Sequence, residues 1–191
     1  SIAARPDTGE PGVAWTDRDP VQGDLEIYFR ERQGPVFAEL GGSASGGGIS
    51  ANAAGSEAPS TAYDASGRAI VAWQDTTDGD SEIYLRRWDG ASWAEIAGSA
   101  TAGGISANGG PSARPSVAVN PVTGEPGVAW MDTTAGNAEV LFREYDSALG
   151  TWVDRAASGA SPGISNDAGS SQDPQLVFDA FSAKMPPKAD I

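Results

Sequence analysis

Four carboxylates crowd the turn Asp75-Thr76-Thr77-Asp78-Gly79-Asp80-Ser81-Glu82. Such a density of hard oxygen donors suits a calcium ion, with Asp75, Asp78, Asp80 and Glu82 as candidate ligands. The turn departs from the EF-hand pattern, which places a further glutamate at its twelfth position. The same Asp and Gly residues also serve plain hairpin-turn chemistry, so both readings stay open. Beyond the turn lie Arg86 and the aromatic stretch Trp88-Asp89-Gly90-Ala91-Ser92-Trp93. Glu82 and Arg86, four residues apart in a strand, share a face but stand about 13 Å from one another. They cannot pair together, and ion pairs across strands or between repeats are expected, with Asp17, Asp75 and Asp132 as candidate partners.

Composition narrows the chemistry further. The 191 residues include no cysteine and no histidine, which excludes disulfides, imidazole or thiolate metal sites and histidine-based triads. Twenty-six acidic against twelve basic residues give a net charge of −14, which repels nucleic acid and anionic membrane surfaces. A cation, a neutral glycan or a basic protein is the expected partner. No apolar run reaches the roughly 18 residues that span a bilayer, and residues 1–5 lack the shape of a signal peptide. The absence of cysteine beside 25 Gly and 13 Pro suits a secreted, mature bacterial chain outside the cell or at its surface.

The elements that must position these residues recur three times. Aligning Trp15, Trp73 and Trp130 sets the repeats 58 and 57 residues apart. Each repeat reads as four short strands. The first is residues 1–5, 60–64 or 116–120, and the second is the VAW strand. The third is EIYFR, EIYLR or EVLFR, with the period-two alternation of a half-buried strand. The fourth is residues 36–40, 92–97 or 151–156. A glycine-rich connector then carries Ile49-Ser50, Ile105-Ser106 or Ile164-Ser165, each Ile ten residues before a Pro, at Pro59, Pro115 and Pro174. That constant spacing predicts an ordered loop pinned by one buried side chain.

Four antiparallel strands with a long return describe a β-propeller blade. The fold expectation is all-β: a propeller of three four-stranded antiparallel blades at 1–59, 60–115 and 116–173, with an extra C-terminal strand at 174–179 and an irregular tail to 191. The chain resembles bacterial propeller proteins built from tandem VAW-x-D … G-x-x-E-I-Y-x-R … G-G-G-I-S repeats, a resemblance that implies a fold and no single activity. The turn Trp88 to Trp93 is similar to the W-D-G-x-x-W turn of small fucose-binding propeller lectins. That resemblance implies a sugar held by an Arg, a Glu and an aromatic ring, for which Arg86, Glu82, Trp88 and Trp93 are the counterparts here. Tyr145 and Trp152 mark the corresponding place in the third repeat. Packing of these aromatics between blades is the competing reading.

Propellers close with about four to eight blades, and three leave raw edges. The tail from Phe181 carries Pro186-Pro187, which cannot continue a ladder. Completion by other copies or further blades, as a ring or a filament, is therefore expected, with Leu176, Val177 and Phe178 as the joining strand. The function expected is a non-catalytic, self-assembling extracellular scaffold or binding protein; a multivalent glycan-binding lectin is the alternative. A sialidase-like glycosidase needs no histidine, but the S-x-D-x-G-x-x-W turn of sialidases is absent from the sequence.

Overall fold

A computed structural model describes residues 1–160, 162–166 and 168–179; the tail expected from 180 onward lies outside the described residues. The chain forms three four-stranded antiparallel sheets in strict sequence order. The first holds β1 (Ile2–Ala4), β2 (Pro11–Arg18), β3 (Leu25–Gln33) and β4 (Val36–Ala38). The second holds β5 (Ser56–Tyr63), β6 (Ala69–Asp75), β7 (Glu82–Trp88) and β8 (Trp93–Ala94). The third holds β9 (Ser112–Val119), β10 (Pro126–Asp132), β11 (Glu139–Asp146) and β12 (Thr151–Val153). Valine, isoleucine, tryptophan and tyrosine favour these extended segments because their side chains pack on a pleated surface. The central hairpins keep one register throughout: Trp15 opposite Tyr28, Trp73 opposite Tyr84, Trp130 opposite Leu141.

The sheets stack in order, with β5 and β9 against the preceding repeats. Two apolar layers result, one between the first and second sheets and one between the second and third. Ile49, Trp73 and Tyr84 meet Phe29 and Ala14 in the first layer, while Ile105, Trp130 and Leu141 meet Ile70 and Leu85 in the second. Strand β6 is buried on both faces, whereas β2 alternates because only one of its faces is covered. Among the described residues the sheets do not close into a ring.

Four expectations change. Strands β5 and β9 begin four residues earlier than the pattern predicts, crossing a bulge at left-handed Ala58 and Arg114 before pairing Ser56 with Asp75 and Ser112 with Asp132. The fourth strands are shorter than expected, two or three residues each. Residues 174–179 join no ladder, although they dock on the third sheet through Leu176 N to Ser116 Oγ and Phe178 on Phe142. The connectors are ordered as foreseen, but only Ile49 and Ile105 are buried pins, each 1% exposed; Ile164 is 58% exposed.

Because Ile105 is enclosed between two sheets, Ile105→Ala should cost about 2–5 kcal/mol in urea unfolding of the dilute chain. Ile164→Ala, the same substitution at the same point of the repeat, should change stability by less than about 0.5 kcal/mol.

Candidate functional site

The polar chemistry of this chain gathers at the joints between repeats. Each connector folds back onto the third strand of its own repeat. Ile49 N donates to Ile27 O at 2.6 Å, Ile105 N to Ile83 O at 2.7 Å, and Ile164 N to Val140 O at 2.8 Å. The following serine accepts the N–H of Ile27, Ile83 or Val140 and donates to a glutamate carboxylate: Ser50 to Glu26, Ser106 to Glu82, Ser165 to Glu139. The glycine before each Ile is required by this fit. At Gly48, with φ +64°, a Cβ would collide with the Ile27 carbonyl oxygen.

The arginines four residues on do not pair with Asp17, Asp75 or Asp132, although Arg143 forms one of the expected cross-strand ion pairs, with Asp154 at 2.8 Å. Arg86 instead donates to the Ile49 carbonyl at 2.5 Å, and Arg143 to the Ile105 carbonyl at 2.5 Å, each clamping the connector of the repeat before it. Arg30, their counterpart in the first repeat, is exposed and has no partner among the described residues. A second strut comes from Trp93 Nε1, which donates to Leu40 O at 2.8 Å, and Trp152 Nε1, which donates to Ile96 O at 2.9 Å.

The expected ligand sets are placed accordingly. Asp75 is buried and accepts from Trp73 Nε1, Ser56 Oγ, Asn52 Nδ2 and Thr77 N at 2.6–2.9 Å. Asp78 accepts from the Tyr84 hydroxyl at 2.6 Å and from Gly103 N at 2.7 Å. Glu82 is buried against Ser106. Asp75, Asp78, Asp80 and Glu82 therefore do not converge, and among the described residues no group of three or more His, Cys, Asp or Glu could hold a metal ion. Of the glycan candidates, Glu82 is enclosed and Arg86 lines a cleft of about 240 Å³ with Trp73 and Tyr84. Trp88 packs on Trp93 at 5.9 Å and Tyr145 on Trp152 at 5.8 Å, both pairs at the joints. Leu176 and Phe178 are half-buried against the third sheet, and Val177 points to solvent.

Two groups of residues escaped the sequence reading. Ser43, Ser99 and Ser158 each donate to the third-strand carbonyl of Phe29, Leu85 or Phe142 and accept the N–H of Leu40, Ile96 or Arg155. Their constant place six residues before each connector Ile was visible in the sequence. Arg87 is the other. It stands where Glu31 and Glu144 stand in the neighbouring repeats. Glu31 is held by Arg5 at 2.8 Å and by the Tyr63 hydroxyl at 3.0 Å; Glu144 is held by Arg155 at 3.0 Å and Asn120 at 3.0 Å. Arg87 has no partner among the described residues and lines a cleft of about 380 Å³ with Arg68, Thr123, Glu125, Tyr145 and Ser147. No protein-family model matches this chain, and no curated protein matches its sequence.

Burial raises the carboxyls of Glu26 and Glu82 above the ordinary glutamate range, partly offset by their serine and backbone donors. A raised folded-state value favours the protonated form, so this contribution to stability is complete below the unfolded value and is lost as pH rises through the folded one. Glu82→Gln keeps the shape and removes that loss. Relative to the parent, the variant should become more stable to unfolding between pH ~4 and pH ~7, measured by urea titration at both; a parallel pH dependence would contradict the assignment.

Proposed function

We propose that this chain is a non-catalytic scaffold outside the cell, built of propeller blades and completed by other copies of itself. One observation carries the reading: the two outer faces of the stack are the separated halves of the joint used twice inside it. At one end Trp15 is half-buried and Arg30 lacks an acceptor, where Trp73 and Trp130 are enclosed and Arg86 and Arg143 are engaged. At the other, Ile164 is 58% exposed where Ile49 and Ile105 are pins. A head-to-tail contact of this kind closes as a ring when its rotation allows and otherwise runs on as a filament. The spending of Glu26, Glu82 and Glu139 on serine bonds supports a structural rather than a catalytic use of the repeated carboxylates.

Light scattering with particle imaging tests this. At micromolar concentration the chain should weigh a multiple of 19.5 kDa, and a stable folded monomer would rule the assembly out.

A second reading rests on the cleft around Arg87. It joins an unpaired guanidinium, the Glu125 carboxylate, the hydroxyl side chains of Ser66, Thr123 and Ser147 and the Tyr145 ring from adjacent repeats, a mixture that suits a neutral, hydroxylated ligand such as a glycan. On a multivalent glycan array some glycan should bind, and Arg87→Ala should weaken it about tenfold or more, the loss of one charge-assisted hydrogen bond. Binding to no displayed glycan, or equal binding by the variant, would remove this reading.

A further inference from the structure

Asn108-Gly109 is the one Asn-Gly step in the sequence, and it lies in the connector between the second and third sheets. The Asn108 carboxamide fastens that connector to the third repeat. Its Nδ2 donates to the buried Asp132 carboxylate and, at 3.3 Å, to Ser112 Oγ; its Oδ1 accepts from Thr134 Oγ1 and from Gly110 N, each at 3.1 Å. Asn52 makes the corresponding bonds in the first connector, to Asp75 at 2.6 Å and Ser56 at 3.4 Å. Alanine follows Asn52, where glycine follows Asn108.

Gly109 has no steric duty. Gly104 and Gly110 are required by the fit, since a Cβ would collide with the Ile83 carbonyl oxygen at the first and with Thr134 Cα at the second. At Gly109 the backbone is not left-handed, and a Cβ would meet nothing within 4 Å. The residue is exposed, and its N–H has no partner among the described residues. What glycine changes here is reactivity. Without a side chain the backbone turns freely, and the amide nitrogen can reach the carboxamide of the residue before it.

We infer that Asn108-Gly109 is a spontaneous modification site that records opening of the joint between the second and third repeats. The Gly109 nitrogen gives its proton to solvent base and bonds to Asn108 Cγ; the Cγ–Nδ2 bond breaks, and ammonia leaves with a proton from solvent. Water then opens the five-membered imide at either carbonyl, giving aspartate or isoaspartate at 108. The conversion as a whole adds water and releases ammonia. In the closed joint the carboxamide is held at both its polar atoms, so reaction awaits opening. Once formed, the product keeps the joint from closing. A carboxylate at 108 loses both Nδ2 donations and sets a second negative charge against Asp132. The surroundings offer it no relief: Glu82 and Asp80 lie on the second repeat's hairpin, and Glu139 is opposite Asp132 in the ladder. Arg143, the arginine of this joint, is already engaged on the carbonyls of Ile105 and Ser106. Like charges brought together disfavour ionisation, so the new carboxyl is stabilising only while protonated.

Peptide mapping by mass spectrometry tests this on the whole chain, kept at mildly alkaline pH in buffer and in denaturing urea. Asn108 should convert many-fold faster in urea than in buffer, and in urea many-fold faster than Asn52. Gly109→Ala should slow the conversion many-fold and still unfold at the parent's urea midpoint. Asn108→Asp, which is the product, should unfold at lower urea than the parent at pH ~7 and recover towards it at pH ~4, where the added carboxyl is protonated. The rate comparison uses the parent chain and decides the matter even where Asn108→Asp does not fold. Conversion equally fast in buffer and in urea, a Gly109→Ala midpoint well below the parent's, or an Asn108→Asp midpoint equal to the parent's at pH ~7 overturns the inference.

Discussion

The sheets of this chain carry apolar side chains on both faces, and each gains stability wherever a neighbouring sheet covers them. The second sheet has neighbours on each side and meets this demand, with Ile70, Val71, Ala72 and Trp73 enclosed. Among the described residues the outer sheets meet it on one face only. Burial between successive repeats, at about 25 cal/mol per Å² of apolar area, is thus the interaction that the connectors, clamps and struts all serve.

The connectors achieve that burial without orphaning backbone. A glycine-rich loop wedged between two sheets would strand its N–H and carbonyl groups away from water, at about 1–3 kcal/mol for each one left unmade. Here the loop satisfies them against the third strand, through Ile-to-carbonyl bonds and through serines that both accept and donate. The buried glutamate fits the same logic. Glu82 is tolerated because Ser106 and the Asn108 backbone N–H reach its carboxylate, yet desolvation still raises its proton affinity. The arginine clamp completes the joint by occupying the outward carbonyl of the connector Ile.

These joints explain why the residues with chemical potential in the middle repeat are so fully engaged. Asp75 accepts from four neighbours, Glu82 is sealed in, and Trp93 holds a carbonyl of the preceding repeat. Groups that remain free are those that break the repeat. Arg87 replaces a glutamate position, and Arg30, Asp17 and Ile164 lie on faces that no other sheet covers among the described residues.

Much of the architecture was legible from the recurrence of tryptophan at a near-constant interval, the period-two alternation of EIYLR and the fixed Ile-to-Pro distance. Those features act locally: alternation puts side chains on opposite faces of a strand, and glycine permits the turns between strands. They determined twelve strands in three antiparallel sheets and an ordered connector in each. They could not show that Glu82 bonds a serine, that Arg86 bonds a carbonyl, or that Asp75 is satisfied, because each partner comes from a loop some 20–40 residues away in the chain. Nor could they distinguish Ile105 from Ile164, which occupy equivalent sequence positions. Sequence alone determined what each repeat is; only the tertiary structure decided which copies of the same residue are buried, because burial depends on whether another sheet lies across the face.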